Sequence, residues 1–162
     1  MNPFVYLGLI AEIAATYLGF IAVFIVFSRD DGRFAESDKH FVQGLVITST
    51  SVIAFALMPR VLVQFVTEQE AWSLSLNVVI VLGGLITVFQ AWSQFMMAEE
   101  EAKKVHWSWH APGWVLALLG IALFFAGYMN LLAQPGAFVA GLTCILAVAI
   151  WCFIVIVFRK FF

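Results

Sequence analysis

Two opposite charges interrupt apolar stretches that otherwise suit a membrane interior. Glu12 follows "YLGLIA", and Arg60 follows "AFALMP". An unpaired charge at the centre of a membrane helix costs about 2.5–3.5 kcal/mol on insertion scales. Glu12 comes eight residues after Phe4, and Arg60 comes seven residues before Thr67. In two antiparallel helices both would lie about 10–12 Å beneath the same surface, so the sequence predicts an intramembrane ion pair.

The surroundings of Glu12 predict that it faces other helices. Four small residues recur near it at helical spacing: Gly8, Ala11, Ala15 and Gly19. In membranes such residues let a neighbouring backbone approach closely. Two roles stay open for the pair. It could fix the register of the first two helices, or Glu12 could be the titratable or cation-attracting group of a transport path with Arg60 as its counter-charge.

A stripe of small and polar residues follows the third apolar segment. Steps of four and three connect Ser73, Asn77, Ile80, Gly84, Thr87, Ala91, Gln94 and Ala98. Lipid would penalise this stripe, so it is expected to face protein or water. It could form a close helix–helix interface, or third helices from several subunits could line an aqueous path. At similar depth, Glu12, Arg60, Asn77 and Thr143 could form one polar cluster in the outer half of the membrane.

Hydroxyl and imidazole groups occur toward the other side of the membrane. The run "TSTS", residues 48–51, covers every direction around a helix, which predicts hydrogen bonds to the helix's own backbone. His106 and His110 have the i,i+4 spacing of a helical metal site, and His40 lies at the same side as a conceivable third ligand. Trp107 replaces the glutamate of the H-E-x-x-H zinc motif, and the flanking tryptophans are more typical of a segment among lipid headgroups.

Five apolar segments carry these residues. Each has the roughly 20 residues that a helix needs to cross the hydrocarbon core. They cover residues 4–28, 41–66, 72–98, 113–132 and 136–158. The last two are separated by "AQPG", and Gln134, Pro135 and Gly136 are expected to form a tight turn there. We therefore predict one all-α transmembrane domain of five helices over residues 1–162.

The basic residues predict the orientation of this bundle. They follow the first, third and fifth segments: Arg29, Arg33, Lys39, Lys103, Lys104, Arg159 and Lys160. The connections on the other side, "TEQEAWS" and "AQPG", contain no lysine or arginine. Because basic loops stay in the cytoplasm, the N-terminus is expected outside and the C-terminus inside. Arg60 is the exception to this pattern.

The composition excludes several classes of function. The chain is 64% hydrophobic and 11% charged, which suits a lipid environment and not a soluble domain. Its formal net charge of −2 and its lack of a basic stripe argue against nucleic acid as a partner. The sequence also lacks a nucleophile elbow, a P-loop and a dinucleotide-binding fingerprint, so we expect neither an enzyme nor a cofactor.

These observations favour a small channel or transporter for protons, inorganic ions or a small solute. We expect a homo-oligomer in a cell membrane of the bacterial inner-membrane type, surrounded by lipid. Glu12 and Arg60 would be its charged pair, and Asn77, Thr87 and Gln94 would contribute polar lining. The alternative is a non-transporting accessory or structural subunit of a larger membrane complex, with a lipid-binding subunit as one variant, in which the same groups serve packing.

Overall fold

Five long helices form an antiparallel bundle. The computed structural model describes residues 2–28, 36–96 and 107–161. The helices are α1 (Pro3–Ser28), α2 (Glu36–Leu62), α3 (Glu68–Phe95), α4 (Trp107–Tyr128) and α5 (Gln134–Phe161). All five are long and apolar enough to cross a membrane, which confirms the predicted fold class and indicates a multi-pass membrane protein.

The two ends of the bundle differ in character. We call one the basic end, where α1, α3 and α5 finish and α2 and α4 begin; Lys39 and Arg159 lie there. The other is the Trp72 end, where an apolar core surrounds the buried Trp72 ring. There Trp72 stacks on Phe4 at 5.2 Å and meets Phe138 edge-on at 5.7 Å. Phe138 also lies 5.9 Å from Phe124, so aromatic rings from α1, α3, α4 and α5 form one packed layer.

Helix α5 touches each of the other four helices, and its contact with α4 is the closest. Glycines make this approach possible, because a Cβ atom on Gly141 would lie 2.5 Å from the Phe124 ring. A Cβ atom on Gly127 would likewise lie 2.7 Å from the Ala137 Cβ. This is the close packing that small residues permit between membrane helices, where lipid supplies little hydrophobic drive for association.

The end of α2 explains why Arg60 follows an apolar run. The helix finishes at Leu62 and the next residues form a turn, although "VQFV" remained apolar enough to be counted as membrane span. Arg60 therefore lies in the last helical turn, about 3 Å from the helix end and not about 10 Å deep. A cation is favourable beside the terminal carbonyls of a helix, and a long arginine side chain can extend to the membrane surface.

A capping box begins α3 four residues earlier than predicted. The Glu70 backbone N–H donates to the Thr67 hydroxyl at 3.3 Å, and the Thr67 backbone N–H donates to the Glu70 carboxylate at 3.0 Å. Trp72 Nε1 also donates to the Glu68 carboxylate at 3.3 Å. These bonds satisfy N–H groups that every helix start leaves unpaired, so the helix can begin at Glu68 in polar surroundings.

The turn between α4 and α5 differs from the predicted one. Asn130 has a left-handed backbone, φ 56°, and Leu131 N–H donates to the Ala126 carbonyl at 2.9 Å. Together with an Asn130 N–H bond to the Gly127 carbonyl, this is the Schellman arrangement with asparagine in place of glycine. The prediction of a turn at Gln134, Pro135 and Gly136 was wrong, because they form the first turn of α5. A backbone N–H in the first turn of a helix has no partner within the helix, so proline, which has no N–H, is tolerated there.

Candidate functional site

A cavity with a few polar groups in a mainly apolar wall lies between α2, α3, α4 and α5. Two adjoining volumes of about 60 and 70 Å³ compose it, and both are partly open. They share Thr87, Gln90, Ala117 and Val148 in their walls. Since one water needs about 10–15 Å³ of such space, each volume can hold several waters or one small solute.

The α3 helix supplies the polar side of the cavity. Gly83, Gly84, Thr87 and Gln90 lie on the face that points inward. The Thr87 hydroxyl donates to the Gly83 carbonyl at 2.8 Å, which leaves its lone pairs available to the cavity. Gln90 Nε2 donates to Thr48 Oγ1 on α2 across a longer distance of 3.5 Å. A polar contact thus joins two helices at a depth where lipid offers no partner.

Near the basic end, three side chains from α3 and α4 form a chain of hydrogen bonds, which we call the relay. Trp114 Nε1 donates to Gln94 Oε1 at 3.0 Å, and Gln94 Nε2 lies 2.7 Å from His110 Nδ1. An indole nitrogen can only donate, so it must face the amide oxygen. The amide nitrogen then donates to His110 Nδ1, which places the imidazole proton on Nε2.

His40 on α2 completes this group. Its ring centroid lies 6.1 Å from that of His110, and its Nδ1 lies 3.4 Å from the Ser93 hydroxyl. The Phe41 ring stacks on that of His110, with centroids 4.9 Å apart. The Arg159 guanidinium carbon lies 6.0 Å from the centre of the Phe41 ring, so a positive charge lies one aromatic ring away from His110.

Two tryptophans close the wall formed by α4 and α5. The Trp109 and Trp151 rings lie 6.5 Å apart, and Trp151 Nε1 donates to the Trp109 carbonyl at 2.8 Å. Gly113 beside them keeps space free, since a Cβ there would lie 3.6 Å from the Trp151 ring. The described residues that line the two volumes include no aspartate or glutamate. The cavity is therefore aromatic and polar without a negative charge of its own in this part of the chain.

Searches of protein families, characterised proteins and solved structures found no match. The geometry alone therefore carries the functional argument. Its strongest feature is the change along α3, from an apolar layer around Trp72 to a hydroxyl and two amides that face the cavity at Thr87, Gln90 and Gln94.

Glu12 does not lie where its small neighbours predicted. The packed face of α1 consists of Leu7, Ile10, Ala11 and Ala14, whereas Glu12 is exposed on the surface of the bundle. A Cβ added at Gly8 or Gly19 would meet nothing within 4 Å. Of the four small residues only Ala11 lies on the packed face, so within the described bundle Glu12 does not take part in the contact that these residues predicted.

The predicted pair of Glu12 and Arg60 is not formed among the described residues, where no ion pair joins the two exposed side chains. Arg60 is two residues from its helix end, and Glu12 is nine residues inside α1, about 14 Å. Asn77 and Thr143 are exposed as well, and the Thr143 hydroxyl donates to the Val139 carbonyl of its own helix. The predicted outer polar cluster is therefore not assembled within this part of the chain.

The histidine prediction has a mixed outcome. The structure brings His40 and His110 together, while His106 lies outside the described residues. Among the described residues no group of three or more His, Cys, Asp and Glu side chains could hold a metal ion. The relay also gives His110 Nε2 a proton, and a protonated nitrogen offers no lone pair to a metal.

The polar stripe of α3 is divided by the structure. Thr87 and Gln94 of the stripe line the cavity within the bundle, but Gln90 and Ser93 belong to the site and were not in the stripe. The hydroxyl run on α2 is divided too: Ser51 donates to the Ile47 carbonyl as predicted, whereas Thr48 accepts from Gln90. Glutamine within an apolar helix was the available signal for Gln90, because such a side chain needs a polar partner.

Proposed function

We propose that this chain is a small membrane channel or transporter whose solute path is the cavity between α2, α3, α4 and α5. One observation supports this function best: Thr87, Gln90 and Gln94 of α3 line an interior volume. These three side chains cover about 10 Å along the helix, and the α3 wall of the cavity continues through apolar residues and glycines to Val79, about 22 Å in all. Ionisable residues that face the interior of a membrane bundle mark solute pathways by default, and His40 and His110 are such residues in this cavity.

The aromatic layer supports a closed state of this path. Phe55 and Phe124 line the cavity where it ends, and Trp72 and Phe138 pack beyond them. A hydrophobic constriction blocks ions by excluding water. In this proposal the solute enters from the basic end, and passage requires the rings to move apart. Glu12 and Arg60 lie on the outside of the bundle and are not part of this path.

Flux through purified protein in liposomes tests the proposal. Vesicles with the wild-type chain are compared under pH, salt and small-solute gradients with His110→Phe, which keeps a ring but removes both nitrogens. Thr143→Val is the matched control, because Thr143 is exposed and bonds its own helix. We expect flux from wild type and control and loss in His110→Phe. A folded wild type without flux under every gradient would reject transport.

The exposed face of α1 favours a second candidate, a subunit of a larger assembly. Glu12 with Gly8 and Gly19 leaves open space in the middle of a membrane helix, where contact with lipid is costly for a carboxylate. We propose that a protein surface covers this face, either another copy or a different chain. A cysteine placed at Gly8 or Gly19 tests this in native membranes. It should cross-link to another chain if protein covers this face of α1, and it should not if lipid does.

A further inference from the structure

We infer that the cavity beside His110 is a binding site for a small monovalent anion. The inference rests on the proposed path, because it names the class of solute that the same cavity selects. Three observations carry it: the fixed proton of His110, the positive charge near it and the lack of carboxylates among the described lining residues.

The relay makes His110 a donor toward the cavity. Trp114 fixes Gln94, and Gln94 fixes the imidazole with Nδ1 as the acceptor. The remaining proton on Nε2 has no partner among the described residues, and the ring lines the 70 Å³ volume. An N–H that lines a cavity without a partner in the described part of the chain favours a ligand that accepts a hydrogen bond.

The same relay argues against proton transfer through His110. A histidine that passes protons must gain one at one nitrogen and release one from the other. Here Nδ1 faces the amide nitrogen of Gln94, so adding a proton would place two donors against each other at 2.7 Å. Gln94 could turn only by breaking its bond to Trp114. His110 is therefore suited to binding and not to relaying protons.

Charge disfavours cations at this position. Arg159 lies over Phe41, the ring that stacks on His110, so a cation beside His110 would meet a like charge one ring away. Beyond the hydroxyl and amide oxygens, the lining residues that the structure describes supply no negative group. A monovalent anion meets the N–H donor and a favourable potential together. The volume of 70 Å³ limits the ligand to one of few atoms.

Nitrogen NMR of the protein in nanodiscs tests the tautomer and the ligand together. Histidine labelled with ¹⁵N is measured while chloride, nitrate or formate is exchanged for the much larger gluconate at constant ionic strength. We expect His110 to carry its proton on Nε2 and the Nε2 signal to shift and saturate with each small anion. A wild-type proton on Nδ1, or Nε2 signals that respond to potassium and not to anions, would overturn the inference.

Matched variants separate positioning from folding. Trp114→Phe removes the bond that orients Gln94, so both tautomers should appear and anion affinity should fall at least threefold. Trp92→Phe is the control, because Trp92 is an exposed tryptophan of α3. His110→Phe should abolish saturable binding, and His110→Gln, which keeps a side-chain N–H donor, should restore part of it. Unchanged affinity in folded His110→Phe would contradict the site.

The binding and flux measurements fail independently. Anion binding at equilibrium without flux would reject transport and keep the anion site. Flux of a cation or a neutral solute without anion binding would reject the anion site and keep transport.

Discussion

Replacing Gly141 with alanine tests whether the α4–α5 contact depends on the missing side chain. A Cβ at this position would lie 2.5, 2.7 and 2.8 Å from three carbons of the Phe124 ring. Ordinary contacts between carbon atoms are about 3.5–4.0 Å, so each contact is too close by about 1 Å. Phe124 is 2% exposed and packs on Phe138 at 5.9 Å, which leaves the ring little room to retreat.

The remaining response is a separation of the helices, and two other glycines oppose it. Moving α5 away from α4 would loosen the contacts of Gly120 with Ile145 and of Gly127 with Ala137. Overpacking of this kind costs about 1–3 kcal/mol, and a distorted ring rotamer adds about 0.5–1.5 kcal/mol. We therefore expect Gly141→Ala to lower the free energy of unfolding by about 2–3 kcal/mol. That corresponds to a change of roughly 30- to 150-fold in the unfolding equilibrium constant.

Equilibrium unfolding in mixtures of SDS and a mild detergent measures this change. Tryptophan fluorescence follows tertiary packing around Trp72, and far-UV circular dichroism checks that helix content is retained before the transition. Gly19→Ala is the matched control, because a Cβ there meets nothing within 4 Å and α1 stays helical. The free energy of unfolding of Gly19→Ala should stay within about 1 kcal/mol of the wild-type value. A Gly141→Ala protein whose free energy of unfolding lies within about 0.5 kcal/mol of the wild-type value would refute the packing argument.

Four further substitutions have expected outcomes. Ser49→Ala should raise the free energy of unfolding by about 1 kcal/mol, because the Ser49 hydroxyl is fully buried without a partner in the described part of the chain. A lower free energy of unfolding would show that the hydroxyl has a hydrogen-bond partner. Thr67→Ala removes the bond that the Thr67 hydroxyl accepts from the Glu70 N–H and should cost about 0.5–2 kcal/mol in the same unfolding assay, and no loss would contradict the role of the cap. Asn130→Gly should be neutral or stabilising by up to about 1 kcal/mol, whereas Asn130→Val should destabilise, since the backbone at this turn is left-handed. If α1 of a monomer faces lipid, Glu12→Leu should raise the free energy of unfolding by about 2 kcal/mol or more. If Glu12 belongs to an interface, the same substitution should shift the sedimentation profile toward smaller species.

Helix number and type followed directly from the sequence, because crossing a bilayer imposes both length and apolar composition. Helix ends did not. "VQFV" after Leu62 is as apolar as a membrane span, and only the capping box of the next helix shows that a turn occurs there. That difference of four residues moved Arg60 from a buried position to a helix terminus and removed the basis for its pairing with Glu12.

The site could also be predicted only in part, and here the cause is not the position of helix ends. Thr87, Gln94, His40 and His110 were recognisable as polar groups in or beside apolar helices. Which of them meet depends on the rotation of each helix about its axis, and the spacing along one helix does not determine it. The partnership of Gln94 with Trp114 and His110 joins α3 to α4 across sixteen to twenty positions of the chain. An indole in a sequence suits a membrane surface equally well, so Trp114 by itself does not indicate this partnership.

The central position of α5 has a consequence for how the protein is made. This helix follows the other four in the chain, yet each of them packs against it. Ribosomes add about 5–20 residues per second, so roughly 3–13 s separate the synthesis of Phe95 from that of Phe161. During that interval Ser49 and Ser75, which the finished bundle buries completely, belong to a helix group that still lacks its common partner. The cell's insertion machinery and quality-control proteases therefore meet an unfinished bundle, and its survival depends on how quickly the final helix arrives.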